Sequence, residues 1–197
     1  MVIKAEDVKK LRETTGAGIL DCKKALEESA GDFQKALDVI QIKSQAIVMK
    51  KAAREARDGK VASPIHGGGR IGVLVEVNCE TDFVARTEQF EFLVKEICLQ
   101  IAAMNPQYVG RDVISPEAIE KNREIFRAQA LEQGKPEKIV DKIVEGRLEK
   151  WYAEVCLLEQ AYIKDQEKTV LQLLNETIAK TGENIRIKRF TRYQLGE

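Results

Sequence analysis

The sequence contains few of the side chains from which metal centres or nucleophilic active sites are built. Its 197 residues include one histidine, His66, and four cysteines without C-x-x-C spacing: Cys22, Cys79, Cys98 and Cys156. Zinc sites and cysteine nucleophiles need several such groups in a defined arrangement. Cys79 and His66 are near each other in sequence, but no nucleophile motif surrounds the cysteine. We therefore predict buried, unreactive thiols, no catalytic residue, no metal site and no cofactor.

The chain also lacks an excess of charge of one sign and any long apolar run. Lysine plus arginine and aspartate plus glutamate both number 32, so the net charge is zero. Nucleic-acid binders usually carry a basic excess, and a membrane span needs about 20 consecutive apolar residues. The first residues show no apolar segment typical of a signal peptide. We therefore expect a cytoplasmic protein that binds neither nucleic acid nor membrane.

Residues 1 to about 50 show the pattern of three short helices. Val8 and Leu11 point inward from the first, which a turn containing Gly16 and Gly18 ends. Asp32 is a good N-cap for the third helix. The apolar residues of that helix recur at the spacing of one helical face: Phe33, Ala36, Leu37 and Ile40. The segment is predicted to form a minimal three-helix bundle.

The rest of the chain mixes strand and helix patterns. Residues 60–65 and 70–77 are predicted to form a β-hairpin around a glycine-rich turn, and a closing strand is expected at 184–195. A helical hairpin is predicted at about 115–151, after which residues 151–158 would pass from helix into strand. The predicted fold class is α+β: an N-terminal three-helix (UBA-like) bundle, then an α+β core with a small antiparallel sheet and the helical hairpin. The predicted domains are 1–55 and 56–197.

The segment VLVEVNCETDFVAR, residues 73–86, joins a strand pattern to a helix pattern. It places a carboxylate, Asp82, beside a large ring, Phe83, at a corner between the two elements. One interpretation is that Thr81 or Asp82 caps the next helix while Phe83 packs into the core. The other is that the acid and the ring are exposed and push into a partner. The local pattern leaves both open.

Three motifs give the sequence a resemblance to bacterial elongation factor Ts over almost its whole length. They are KKLRETTGAGILDCKKALEE near the start, VEVNCETDFVAR in the centre and GKPEKIVDKIVEGRLEKW in the second half. The resemblance implies a translation elongation factor that is not an enzyme. Such a factor binds the GTPase elongation factor Tu in its GDP form, disturbs the Mg²⁺ and phosphate site, and promotes release of GDP. The alternative is a module that binds a protein partner through the helical bundle without nucleotide exchange.

The resemblance also implies roles for two groups of residues. The exchange motif, which inserts into the GTPase and disturbs its magnesium, is Thr81, Asp82, Phe83 and Val84. The apolar patch that binds the GTPase is Leu11, Ile19 and Leu20, for which the bundle core is the alternative place.

Residues 1–55 would then be the module that binds the GTPase, and residues 56–197 the core and dimerisation domain. Longer family members carry two related core subdomains, whereas this chain has room for one. It is therefore similar to the short form of the family, which acts as a homodimer and implies a two-plus-two complex with elongation factor Tu. The turn at residues 134–136 resembles the projecting coiled element of the family.

Overall fold

A computed structural model describes residues 3–197 and confirms the α+β fold class. Residues 1 and 2 of the predicted N-terminal module lie outside the described residues. Contacts group the chain into two compact units. The first comprises Met1–Val61, Glu76–Lys95 and Gln172–Arg186, and the second comprises Ala62–Val75, Glu96–Leu171 and Ile187–Glu197. The predicted division by role at residues 55 and 56 stays a prediction.

Three N-terminal helices enclose a small hydrophobic core: α1 (Ala5–Thr15), α2 (Ile19–Glu28) and α3 (Phe33–Lys51). Gly16 ends α1 with a φ of 66°, and its N–H donates to the Arg12 carbonyl at 2.7 Å. The Asp32 carboxylate caps α3 by accepting from the N–H groups of Gln34 and Lys35, both at 3.1 Å. The bond from the Lys35 N–H is the main reason why the pKa of Asp32 lies below its ordinary value.

The core of this bundle contains buried side chains from all three helices: Leu11, Cys22, Ala25, Leu26, Ala36 and Ile40. The spacing of these residues is the helical period seen in the sequence. The three predicted helices are therefore confirmed, while the UBA-like relationship stays a prediction.

Strand β3 (Ile71–Cys79) is the central strand of a four-stranded sheet. It pairs with three strands: β1 (Asp58–Ala62), β2 (Ile65–His66) and β6 (Arg186–Gln194). The predicted hairpin is present, but its first strand, expected at 60–65, is divided into β1 and β2. Strand β2 is antiparallel to β3, with Ile65 opposite Gly72. Alternate residues of β3 are buried, which is typical of a strand with one face on a core: Val73, Val75, Val77 and Cys79. A second antiparallel pair consists of β4 (Ala161–Tyr162) and β5 (Asp165–Thr169).

The remaining helices follow β3 in sequence: α4 (Asp82–Ala85), α5 (Glu88–Met104), α6 (Pro116–Glu132), α7 (Glu137–Val155) and α8 (Val170–Thr181). The predicted helical hairpin consists of α6 and α7. Ser115 caps α6, since its hydroxyl oxygen accepts from the Ala118 N–H at 3.2 Å. Gly134, with a φ of 69°, lies in the turn between the two helices.

The prediction that residues 151–158 pass from helix into strand is wrong. Helix α7 continues to Val155, and a short 3₁₀ helix, Leu157–Glu159, follows it. Tyr152 and Val155 extend the buried stripe of Val144 and Leu148 at the helical spacing, so packing against α6 maintains the helix. The aromatic and β-branched residues near this end favour a strand locally, but packing outweighs that preference.

Candidate functional site

The predicted exchange motif lies at a sharp corner that begins where β3 ends. Thr81 has extended backbone (φ −135°, ψ 156°), and the short helix α4 starts at the next residue. The Thr81 hydroxyl oxygen accepts from the Val84 N–H at 3.4 Å, so Thr81 is the N-cap of α4. The Cys79 thiol donates to the Thr81 carbonyl at 3.1 Å. These local bonds fix the path of the chain into the corner.

The ring of Phe83 lies outside the corner, in solvent. Its exposed fraction is 80%, whereas the next two residues, Val84 and Ala85, are buried. Helical geometry turns neighbouring side chains to different directions, so burial of Val84 and Ala85 leaves Phe83 on the open side. Of the two interpretations of this segment, the cap by Thr81 is right and the packing of Phe83 into the core is wrong. The Phe83 ring therefore leaves apolar surface on the open side of the corner.

Asp82, which directly precedes Phe83 in the sequence, is the first residue of α4. Its side chain is about half exposed and forms an ion pair with the Arg86 guanidinium at 2.9 Å. The pair has the (i, i+4) spacing at which side chains meet on a helix surface. The corner therefore presents an acid, a ring and a cation together. Arg86 was missed in the sequence analysis, although its spacing from Asp82 was a signal for it.

Side chains from distant parts of the chain support the corner. The Glu183 carboxylate accepts from the N–H groups of Glu80 and Thr81, at 3.1 and 3.0 Å, and from the Thr81 hydroxyl at 2.7 Å. The Glu80 carboxylate accepts from the Asn184 N–H at 2.7 Å and from Arg54 Nη1 at 3.3 Å. The Asn184 N–H is the main cause that lowers the pKa of Glu80. No local sequence pattern indicated these partners, because Glu183 and Asn184 lie more than 100 residues from the corner and Arg54 lies 26 residues before Glu80.

The predicted partner-binding residues divide into an exposed pair and a buried residue. Leu20 and Ile19, in the first turn of α2, are 72% and 54% exposed. Leu11 is fully buried in the bundle core. Of the two places predicted for Leu11, the contact patch and the bundle core, the structure shows the core, because its position on α1 directs it inward as the helix pattern predicted. Of the three predicted residues, Ile19 and Leu20 have exposed apolar side chains and Leu11 has none.

A groove of about 410 Å³ lies next to Ile19 on the surface of the bundle. Apolar side chains, among them Val8, form much of its wall. Three basic residues also line it: Lys9, Arg12 and Lys23. The surface around Ile19 therefore combines apolar area with positive charge.

The whole-chain comparison decides the family. The family model described as Elongation factor TS matches residues 5–197. The chain belongs to the elongation factor Ts family.

Several relatives of this family member are very similar along their full length. Proteins named elongation factor Ts from Thermoanaerobacter sp. (strain X514) and from Caldanaerobacter subterraneus subsp. tengcongensis are each 61% identical to it over 196 residues. The alignments cover 100% of this chain and 96% and 98% of those relatives. The relative from Geobacter metallireducens is 58% identical over 197 residues, which cover 100% of this chain and 91% of that protein. The chain is thus a translation elongation factor that takes part in protein biosynthesis.

The described part of this elongation factor Ts family member was compared with the requirements of a metal site and of a membrane span. Within residues 3–197, no cluster of three or more histidine, cysteine, aspartate or glutamate side chains is arranged to hold a metal ion. Across the same described residues, no helix combines the length and apolar character of a membrane span.

Burial raises the pKa of the Cys79 thiol from 9.0 to about 11. At neutral pH this thiol is protonated, which is the less nucleophilic form.

Proposed function

We propose that this chain is the nucleotide-exchange factor of elongation factor Tu. It binds the GTPase in its GDP form, disturbs the site that holds Mg²⁺ and the phosphates, and promotes GDP release in the cytoplasm. It makes and breaks no covalent bond, so it is not an enzyme and uses no cofactor. The observation that carries the proposal is the exposed ring of Phe83, which directly follows the half-exposed Asp82 on a capped corner.

Exchange of this kind requires the factor to prefer one state of its partner. It speeds GDP release only if it binds the nucleotide-free GTPase more tightly than the GDP form, and GDP then weakens the factor's binding by the same ratio. An acceleration of about a thousandfold needs about 4 kcal/mol of differential binding. Burying one phenylalanine ring supplies about 2–3 kcal/mol. Phe83 therefore needs support from a second contact.

Ile19 and Leu20 are our candidates for that second contact. Both side chains are exposed at the first turn of α2, so they can lose water on binding without unpacking the bundle. Leu11 holds α2 in place from within the core and does not touch the partner directly. The basic residues of the neighbouring groove favour a partner surface with acidic side chains around an apolar centre.

Within the corner, each motif residue has a separate role. Phe83 enters the partner, and Asp82 brings negative charge towards the phosphates and the metal ligands. Thr81 caps α4, and Val84 anchors that helix because its side chain is buried. Arg86 holds the Asp82 carboxylate until the partner's own charges replace it.

We further propose that the factor acts as a homodimer, in a two-plus-two complex with elongation factor Tu. The face of β3 opposite Val73 and Val75 carries the exposed side chain of Leu74. Ile65 on the paired strand β2 is also exposed, and its side chain lies over Gly72, its register partner on β3. A second copy of the chain would cover this apolar area. A dimer predicts twice the chain mass in light scattering at micromolar concentration, and Leu74→Lys should lower that mass without unfolding the protein.

The decisive experiment mixes the protein with elongation factor Tu loaded with a fluorescent GDP analogue. Stopped-flow fluorescence gives the rate of nucleotide loss, and native mass spectrometry gives the stoichiometry of the complex. We expect release to accelerate with factor concentration and then saturate. A complex that forms while GDP leaves at its intrinsic rate would contradict the proposal and favour a binding module without exchange activity.

A further inference from the structure

Residues 80–81 and residues 183–184 are far apart in sequence, and they form reciprocal hydrogen bonds at the corner between β3 and α4. Glu183 accepts from the main chain of Glu80 and Thr81, and Glu80 accepts from the main chain of Asn184. We name this arrangement the corner clamp: Glu80, Thr81, Glu183 and Asn184. All four residues belong to the same compact unit, and Asn184 is buried.

We propose that Glu183 is a positioning residue for nucleotide exchange, because it fixes the direction in which Phe83 leaves the corner. This inference rests on the proposed exchange function and extends it. Glu183 lies just after α8 and touches neither Asp82 nor Phe83 through any hydrogen bond or ion pair among the described contacts. It acts through the backbone at residues 80 and 81.

The geometry of the corner explains why it needs an external support. Helix α4 has only four residues, too few for the helix to be stable alone. Phe83 is exposed and so cannot orient the helix through its own packing. The N–H groups of Glu80 and Thr81 lie between β3 and α4, where neither element supplies an acceptor. The Glu183 carboxylate supplies it for both, with charge-assisted bonds that are stronger than neutral ones.

The corner clamp also includes negative charges, one of which is paired with a positive charge from Arg54. Two carboxylates, those of Glu80 and Glu183, accept main-chain hydrogen bonds at the corner. The Arg54 guanidinium pairs with Glu80 at 3.3 Å, and the Arg54 carbonyl accepts from Asn184 Nδ2 at 2.6 Å. Arg54 therefore pairs with one of these carboxylates and joins the segment after α3 to the clamp. The backbone of the corner is thus ordered before the partner arrives, and this order reduces the entropy lost when Phe83 binds.

The test compares three variants of the full chain. Glu183→Ala removes the acceptor for three hydrogen bonds. Glu183→Gln keeps one carbonyl oxygen for the two N–H groups and offers its amide N–H to the Thr81 hydroxyl oxygen, so it should rescue most of the function. Glu124→Ala, on the exposed face of α6, removes an equal charge far from the clamp in sequence and serves as the control.

The first measurement is amide hydrogen exchange of the free protein by mass spectrometry. In Glu183→Ala we expect faster exchange in peptides that cover residues 79–86, with wild-type protection in the three N-terminal helices. The second is GDP release from elongation factor Tu as a function of factor concentration. We expect Glu183→Ala to lower the maximal release rate about tenfold or more while the half-saturating concentration changes little, because Ile19 and Leu20 are unchanged.

A double variant separates positioning from simple destabilisation. If Glu183 acts through the Phe83 ring, Glu183→Ala should cost little further rate in a Phe83→Ala background, since the positioned group is already absent. Additive losses in the double variant would overturn the inference. So would a Glu183→Ala protein with loosened peptides and wild-type release.

The same data distinguish failure of this inference from failure of the proposed function. If wild-type protein does not accelerate GDP release, the exchange function and the inference fall together, and hydrogen exchange then assigns the clamp a purely structural role. If wild-type accelerates release, Phe83→Ala does not, and Glu183→Ala behaves like Glu124→Ala, only the inference falls.

Discussion

At the residue scale, replacing the exposed Phe83 should change the exchange activity without changing the stability of the fold. Phe83→Ala should leave the free energy of unfolding within about 0.5 kcal/mol of wild type, because an exposed side chain contributes little to the fold. It should lower the maximal rate of GDP release by roughly 30- to 150-fold, the factor that corresponds to burial of one ring in the partner. Urea denaturation and stopped-flow release measure the two quantities. If this variant released GDP at the wild-type rate, Phe83 would have no role in nucleotide exchange.

Gly59, in strand β1, is a residue whose lack of a side chain the sheet requires. Its φ is 137°, and a Cβ at this position would lie 2.1 Å from the Val77 carbonyl oxygen. Because that neighbour is backbone and cannot rotate away, Gly59→Ala should destabilise the protein by about 2–4 kcal/mol. Gly68→Ala is the matched control: its φ is 65°, but nothing lies within 4 Å of the added Cβ.

The control variant should lose only about 1 kcal/mol, the cost of the left-handed backbone. Chemical denaturation of both proteins gives the comparison. Equal losses in the two variants would show that backbone conformation, rather than the contact with Val77, sets the requirement for glycine at position 59.

At the scale of elements, the N-terminal bundle contains a buried residue and an exposed residue from one predicted patch, Leu11 and Leu20. Leu11→Ala should destabilise the bundle by about 2–5 kcal/mol, because it leaves a cavity among fully buried side chains. Leu20→Asp should change stability by less than about 0.5 kcal/mol, since Leu20 is exposed. The aspartate should instead weaken the complex with elongation factor Tu.

Circular-dichroism melts and titration calorimetry separate the two effects. A bundle that melts early in Leu20→Asp would place Leu20 in the core. A Leu11→Ala protein with wild-type stability would contradict the burial described above.

Some helix ends could be predicted from the sequence and others could not. Helix ends followed from local chemistry: the Asp32 and Ser115 caps and the Gly134 turn each depend on a few neighbouring residues. The end of α7 did not follow from local chemistry, because Tyr152 and Val155 remain helical through packing along the buried stripe of the helical hairpin. Leu11 shows the same limit, since a first-helix apolar residue suits a core and a contact patch equally well until its neighbours are known.

At the scale of the whole molecule, the four thiols report on how completely the fold excludes solvent. Cys22, Cys79, Cys98 and Cys156 are all buried and free. A thiol reagent at pH 8 should label them slowly in the native protein and rapidly in urea, with native labelling limited by opening of the structure. Rapid labelling of the native protein at one cysteine, located by mass spectrometry, would show that its surroundings open easily.

The buried thiols also predict how stability depends on pH. Burial raises the pKa of Cys79, Cys98 and Cys156 from 9.0 to about 11. A raised pKa means that the folded state binds the proton more tightly, so this contribution is complete below pH 9 and is lost between pH 9 and 11. Urea midpoints should therefore fall over that range. Replacing Cys98 with alanine should reduce the slope of the fall, and an unchanged slope would assign it to other groups.

The molecule as a whole also shows why part of the site was hidden from the sequence. Thr81, Asp82, Phe83 and Val84 are consecutive, so one segment was enough to predict where they would lie. Glu183 joins the same corner only after the chain returns 102 residues later, and no periodicity or spacing links positions so far apart. Local motifs thus marked the surface of the site, while its support depended on tertiary structure.

The corner clamp has a consequence for the life of each newly made copy of the chain. Translation adds the carboxylate that orders the corner 102 residues after Thr81. A fragment that ends between these two positions would contain Phe83 but would lack the acceptor for the N–H groups of Glu80 and Thr81. The backbone at residues 80 and 81 can therefore gain these bonds only after translation has passed residue 183.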